Sequence, residues 1–250
     1  MIITTNVNKK KTDNLLEGRA REIAEYFQCE YIERNRLTVK ELISKYKEII
    51  IVYKNKTVYI NEDAEELYFH LDTAMLRIKN NSEPLLDIIS GEKQSVLDAT
   101  MGLARDSVIL SYYGHSVTAL EANKIIHYIV SQGLKEFASG REDVNEAMRK
   151  IETYNINSLE FLKNQEDKSF DYIYIDPMFI YKIKDSNNIS IFDTLACQDS
   201  ISEELMKEMK RVARKKIVLK AHKSDPIFER YNFNVASRAG AKFFYGYIEL

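Results

Sequence analysis

Phe170-Asp171-Tyr172-Ile173-Tyr174-Ile175-Asp176-Pro177-Met178-Phe179 is an apolar run that stops on an acid, a proline and an aromatic. Its aromatic and β-branched residues predict a buried strand. Proline lacks a backbone N–H and pushes its predecessor out of helical geometry, so the strand ends at Asp176. The carboxylate of Asp176 and the ring of Phe179 are then held at the strand's carboxyl edge. In open α/β sheets that edge is where ligands bind. An acid followed by Pro-X-aromatic suits a planar group that carries an amino substituent.

Upstream, Ser95-Val96-Leu97-Asp98-Ala99-Thr100-Met101-Gly102-Leu103-Ala104-Arg105-Asp106 reads as strand, short turn and helix start. A further strand over 116–121 ends on Glu121. An acid at the end of the second strand, about 20 residues past the first turn, is the ribose-hydroxyl position of nucleoside-binding α/β folds. The turn carries Gly102 alone, where pyrophosphate binders carry G-x-G-x-x-G. This favours a nucleoside cofactor with no phosphate to cradle, and S-adenosylmethionine fits. A nicotinamide oxidoreductase is disfavoured by the same missing glycines.

Around these segments the alternation is regular. Strands are expected over 95–99, 116–121, 150–154, 170–175 and 216–220. Helices are expected over 104–113, 124–137, 143–149, 158–163 and 201–213. Such βαβ repetition predicts a mostly parallel, Rossmann-like α/β sheet with helices on both faces. Two successive strands at the tail, 231–236 and 243–249, imply a hairpin, so the last strand runs antiparallel.

The first 82 residues read as a small α/β appendage, with the main domain over 83–250. Residues 1–5 form a short strand, and 15–27 have helical spacing. Thr38 followed by Glu41 is a capping box for a helix over 38–45. Strands over 48–53 and 56–60 flank Lys54-Asn55 as a hairpin. A helix over 72–79 carries Arg77 and Lys79, and Pro84 suits the first turn of the next.

Bulk composition sets limits. The 250 residues are 45% hydrophobic and 30% charged, with a net charge of −2, so no overall electrostatic pull toward nucleic acid exists. Cys29 and Cys197 lie far apart, which suits a reducing cytoplasm and supports no structural zinc. The four histidines have no metal-ligand spacing, so no metal is expected. No apolar run is long enough for a membrane span, and the start lacks a signal-peptide pattern.

Several residues carry a family resemblance. They are Leu97-Asp98-Ala99-Thr100, Gly102-Leu103, Arg105-Asp106, Gly114, Val117, Leu120-Glu121, Asn157-Ser158-Leu159, Tyr174 to Phe179, and Lys215-Lys216 with Val218-Leu219-Lys220. Over about residues 70–250 the chain resembles class I S-adenosylmethionine-dependent methyltransferases. Within them it resembles the 16S ribosomal RNA guanine-N2 methyltransferases called RsmJ, as a divergent branch. The resemblance implies that Arg105 and Asp106 border the methionine end of the cofactor. It implies that Glu121 and Ala122 hold the ribose, that Asn157 and Ser158 flank the adenine, and that Asp176 faces the reacting centre. Asp98, Thr100 and Gly102 complete the cofactor set. RNA, small-subunit ribosomal RNA first, is the implied partner.

The chain departs from the family's turn, Ala-Gly-Leu-Gly-Arg-Asp, by Met101 and Ala104. Alanine resists the left-handed region, so Ala104 is expected at negative φ. The segments after Phe179 and Lys220 also depart, and these are where substrate contacts are expected.

For an amine acceptor, Asp176 and the Pro177 carbonyl would take N–H hydrogen bonds, and Phe179 would stack on the base. The base must be unpaired or flipped out. Met178, Arg77, Lys79 and Lys220 are further substrate candidates. For Arg77 and Lys79 a solvated helix face is the simpler reading. Lys220 either reaches a phosphate or neutralises a nearby acid. Tyr172, Tyr174, Phe243, Phe244 and Tyr247 are expected as core. Two other functions stay open: an enzyme of the same fold acting on an amine in DNA, tRNA or a small molecule, and a non-catalytic RNA-binding module.

Overall fold

The computed structural model describes residues 1–6, 14–81, 83–177, 195, 201–238 and 240–250. Met178 and Phe179, and Cys197, lie outside the described residues. The chain separates into two compact units.

The first unit is built mainly from residues 1–70, joined by 128–137. Its elements are β1 (Ile2–Thr5), α1 (Asn14–Phe27), β2 (Glu30–Tyr31), α2 (Val39–Tyr46), β3 (Ile49–Val52), β4 (Thr57–Ile60) and β5 (Glu66–Leu67). The strands form one sheet in the order β2-β1-β3-β4-β5. β1 runs parallel to β2 and β3, while β3-β4-β5 is an antiparallel meander. α1 buries Leu16, Ala20, Ile23 and Ala24, the spacing of one helical face. Leu42 of α2 joins Ile2, Ile49, Ile51, Val58 and Ile60 in a core on one side of the sheet. α2 starts with the capping box: Thr38 Oγ1 accepts from the Glu41 amide at 3.2 Å, and the Glu41 carboxylate accepts from the Thr38 amide at 2.8 Å.

The second unit opens at Leu71, so α3 (Asp72–Asn80) clusters with it and contacts α5. Its further elements are α4 (Pro84–Ile88), β6 (Ser95–Asp98), α5 (Arg105–Tyr112), β7 (Ser116–Leu120), the start of α6 (Lys124–Glu136), α7 (Glu142–Arg149), β8 (Glu152–Tyr154), α8 (Ser158–Lys163) and β9 (Phe170–Ile175). They continue as α9 (Glu203–Val212), β10 (Ala213–His222), α10 (Ile227–Arg230), β11 (Asn234–Ala236) and β12 (Phe243–Glu249). The seven-stranded sheet has the order β11-β12-β10-β9-β6-β7-β8. β8, β7, β6, β9 and β10 are mutually parallel, and β12 pairs antiparallel with both β10 and β11. This is the Rossmann-like architecture expected from the alternation, with the reversed last strand.

Strand periodicity sorts the side chains to two faces. Leu97, Ala99, Ile173, Ile175, Ile217, Leu219 and Ala221 share one core with Met206, Met209 and Val212 of α9 and Leu162 of α8. Asp98, Tyr174, Val218 and Tyr247 are register partners on the opposite face. Lys220 and Tyr245 continue that face one step further along the strands. The residues with chemistry therefore gather on one side of the sheet, at the carboxyl ends of β6, β9 and β10.

Candidate active site

Asp176 directly follows β9. Its backbone N–H donates to Thr100 Oγ1 at 2.7 Å, and the Thr100 N–H donates to Asp98 Oδ1 at 3.0 Å. Thr100 thus ties the ends of β6 and β9 together. The Asp98 carboxylate also accepts from Ser107 Oγ of α5 at 2.5 Å. Burial pushes the Asp98 carboxyl up to about 7, against those hydrogen bonds, and the neighbouring Asp106 and Asp176 charges add to the rise.

Asp106, in the first turn of α5, is the hub of an ion network. Its carboxylate accepts from Arg77 Nη1 at 2.6 Å, Lys220 Nζ at 3.0 Å and the Tyr174 hydroxyl at 2.9 Å. Burial works against this charge, but Lys220 and Arg77 outweigh it and hold the carboxyl well below the usual range. Lys220 Nζ also donates to Asp176 Oδ2 at 2.7 Å. Burial disfavours the ammonium, yet Asp106 and Asp176 keep its pKa above the ordinary lysine value. Asp176 shares that single ammonium with Asp106. Burial raises its carboxyl, Lys220 opposes the rise, and Asp106 adds to it. Asp176 Oδ1 is buried and has no hydrogen-bond partner among the described residues. A buried carboxylate oxygen without a donor is costly, and it marks a place for an incoming N–H.

Arg77 does not sit on a solvated face. Its guanidinium grips Glu83 through Nε at 2.7 Å and Nη2 at 2.6 Å, besides Asp106 and the Tyr245 hydroxyl at 3.3 Å. The Glu83 side chain is only 1% exposed, so the pair is a buried brace between α3 and α4. Lys79 is exposed and joins none of these groups. For Lys220 the acid-neutralising reading holds.

The turn after β6 contains a second group. Gly102 has φ +48, and an added Cβ there would meet only the Thr100 carbonyl oxygen, at 3.9 Å. Its N–H donates to Glu121 Oε2 at 3.3 Å, while Glu121 Oε1 accepts from the Asn123 amide at 2.8 Å. Burial raises the Glu121 carboxyl, and the amides of Asn123, Gly102 and Ala122 oppose this. The carbonyls of Glu121 and Ala122 both accept from Asn155 Nδ2. Ala104 has φ +57, in the left-handed region, contrary to the negative φ expected for alanine. The turn must reverse there so that the Ala104 carbonyl can accept from Val108 and start α5. Arg105 is half-buried at the head of α5, near Asp72 and Asp106.

Asn157 caps α8 by accepting from the Leu159 amide at 2.9 Å. Ser158 Oγ donates to the Ala99 carbonyl, which draws the start of α8 to the end of β6. Asp98, Thr100, Asp106, Asp176, Lys220 and Arg77 thus form one connected cluster. Glu121, Ala122 and Gly102 form another at the same strand ends. Tyr174 and Tyr245 were missed as site residues; Tyr174 reads as core, and only its polar tip distinguishes it from the isoleucines beside it. Among the described residues, no group of His, Cys, Asp or Glu is placed to hold a metal ion, and no helix is long and apolar enough to cross a membrane.

Comparison with known proteins places the chain in a family. The profile of a family described as "Putative SAM-dependent methyltransferase" matches residues 63–245. The chain belongs to this family. S-adenosylmethionine is accordingly the methyl donor of this methyltransferase. The chain is 34% identical over 239 residues to "Uncharacterized protein YpiP" of Bacillus subtilis (strain 168), covering 92% of this chain and 93% of that one. It is 31% identical over 151 residues to "Ribosomal RNA small subunit methyltransferase J" of Thioalkalivibrio sulfidiphilus, covering 58% of this chain and 59% of that enzyme. A protein of the same name from Actinobacillus succinogenes is 29% identical over 137 residues, covering 53% and 52%. The chain thus spans little more than half the length of these two enzymes. The crystal structure of the SAM-dependent methyltransferase NGO1261 from Neisseria gonorrhoeae superposes with a TM-score of 0.62 at 16% identity, over 100% of this chain and 96% of that one, and shares the fold.

Proposed function

We propose that this methyltransferase modifies an exocyclic amine of an RNA base, with guanine N2 of small-subunit ribosomal RNA as the first candidate. The reading rests on Asp176 Oδ1, a buried oxygen with no donor among the described residues, at the end of β9 and followed at once by Pro177. Similarity to the two small-subunit methyltransferases supports RNA as the acceptor.

The residues fit the donor. Glu121, half-buried at the second strand end and fixed by backbone amides, has lone pairs for ribose hydroxyls. Ala122 and the open turn at Gly102 border the same place. Asn157 and Ser158 place the head of α8 beside it, on the adenine side. Arg105 borders the methionine end. Asp106, whose oxygens are already taken by Arg77, Lys220 and Tyr174, acts there as a positioning residue. Bound there, S-adenosylmethionine supplies a methyl group activated by a sulfonium.

An aromatic amine is a weak nucleophile because its lone pair is delocalised into the ring. Asp176 Oδ1 accepts one N–H and the Pro177 carbonyl a second, which favours a pyramidal nitrogen with a localised pair. Lys220 and Thr100 fix the Asp176 carboxylate and backbone, so most of the acceleration comes from alignment. The amine becomes acidic as it is methylated, and Asp176 Oδ1 or water takes the proton. Met178 and Phe179 follow this carboxylate in sequence and belong to the acceptor side of the proposal.

The test is mass spectrometry of nucleosides from total ribosomal RNA of strains with and without the gene. Loss of one methylated guanosine on deletion, restored by the wild type and not by Asp176→Asn, is expected. Identical nucleoside profiles would overturn the ribosomal-RNA reading, and parallel tRNA and DNA pools would locate another acceptor.

A further inference from the structure

A cavity of about 210 Å³ opens beyond Lys220, lined by Arg77, Glu83, Pro84, Lys220, Arg238, Ala241, Phe243 and Tyr245. It lies on the same face of the sheet as Asp98 and Asp176. Lys220 opposes Tyr245 and His222 opposes Phe243 in the β10–β12 register, so both aromatic side chains stand beside the Lys220 stem. Lys220 is also the link to the reacting centre, since its Nζ bonds Asp176 Oδ2.

The cations around the cavity differ in kind. Arg77 and Lys220 are consumed by Glu83, Asp106 and Asp176. Arg238 is exposed at the rim and forms no ion pair among the described residues. A rim guanidinium suits an anion, with phosphate matching its planar fork. An aromatic and proline lining suits a planar ring. The two together, joined to the Asp176 carboxylate through Lys220, select a nucleotide over a free base or a simple amine.

We infer that this cavity is the acceptor-nucleotide subsite, with Phe243 and Tyr245 packing on the base or its immediate neighbour and Arg238 holding an adjacent phosphate. This rests on the RNA reading above and adds to it the residues that recognise the strand.

The experiment measures binding of single-stranded fragments of small-subunit ribosomal RNA to the full chain with S-adenosylhomocysteine, over a range of salt, for wild type, Arg238→Ala, Arg238→Lys and Phe243→Leu. Arg238→Ala should weaken binding about tenfold and lower the slope of log K against log salt by about 0.7, the loss of one phosphate contact on a single strand. Arg238→Lys should restore most of that slope. Phe243→Leu keeps an apolar side chain but loses the flat ring; it should weaken binding about fivefold or more with the slope unchanged. Binding of S-adenosylhomocysteine and the thermal midpoint should stay at wild-type values in all three variants. Unaltered RNA affinity in Arg238→Ala or Phe243→Leu would overturn the subsite. Failure of the RNA reading shows separately, as no methyl incorporation by the wild type into RNA from the deletion strain.

Discussion

Lys220 and Asp176 form a 2.7 Å ion pair at the ends of two adjacent parallel strands, and the same ammonium reaches Asp106 at 3.0 Å. One cation thus serves two carboxylates, Asp106 buried and Asp176 half-buried. Asp106 has Arg77 as a second partner, whereas Asp176 keeps one oxygen without any among the described residues. This asymmetry explains why one acid is held firmly ionised and the other is pushed upward.

Replacing Lys220 by Met removes the charge that opposes the rise of Asp176. Its carboxyl then climbs further, and the ionised form that accepts an amine N–H appears only at higher pH. The acidic limb of the kcat profile should move to higher pH, with kcat near neutrality down about tenfold or more. A pH–rate series on methyl transfer checks this. An unmoved limb would remove Asp176 from the rate-determining chemistry.

Asp98 predicts a second pH effect. Its folded carboxyl is raised to about 7 from the 3.8 of an unperturbed aspartate, so the folded state holds a proton that the unfolded state has lost. Stability from this group is fully present below about pH 4 and is lost as pH rises to about 7. Asp98→Asn has no such titration. The difference in unfolding free energy, wild type minus variant, should therefore fall as pH rises across that window. Urea denaturation at several pH values measures it, and a flat difference would contradict the buried acid.

Ala104 at φ +57 carries backbone strain that glycine would not. The left-handed region costs a residue with a Cβ about 1–2 kcal/mol, while glycine adds up to about 1 kcal/mol of unfolded-state entropy. Ala104→Gly should thus stabilise the protein by roughly 0.5 kcal/mol. A measured loss would mean that contacts of the buried methyl group outweigh the strain.

Gly133 lies where α6 crosses Phe69. An added Cβ would fall 2.1 Å from Phe69 Cγ and 2.3 Å from its Cβ, far inside any non-bonded contact distance. The ring base cannot swing away by a rotamer change alone. Gly133→Ala should destabilise the first unit by about 1–3 kcal/mol or more. Calorimetry or denaturant unfolding tests it, with Gly18→Ala, at an open position inside α1, as the control that should instead stabilise by about 0.5–1 kcal/mol.

Much of the second unit was legible because its strands and helices are long enough to show a period. β9 reads as a strand from Phe170 to Ile175 in sequence and in space, and the reversal of β12 follows from two strands joined without a helix. β2 and β5, of two residues each, are too short to carry alternation. β10 begins at Ala213, earlier than expected, because Arg214 and Lys215 look like loop residues yet meet Asp171 across the sheet. The positions of Asp98, Glu121 and Asp176 at strand ends were readable for the same reason. The ion network was not. Arg77 and Asp106 are 29 residues apart and Lys220 and Asp106 are 114 apart, and no local spacing announces such pairs. The sign of φ at Ala104 was equally hidden, since the residue type argues against it and only the demand of the turn imposes it.

The first unit is not one stretch of chain: residues 128–137 belong to it although some sixty residues of the other unit precede them. Arg19 holds Glu136 at 2.6 Å, and the Phe137 ring sits edge-on to Phe69. No single scission of the gene therefore releases a self-contained catalytic half. An expression clone starting after residue 70 would carry the back of α6 with its apolar side bared, a recipe for insoluble product. The amino-terminal part is bound to be inherited, and purified, together with the enzyme it precedes.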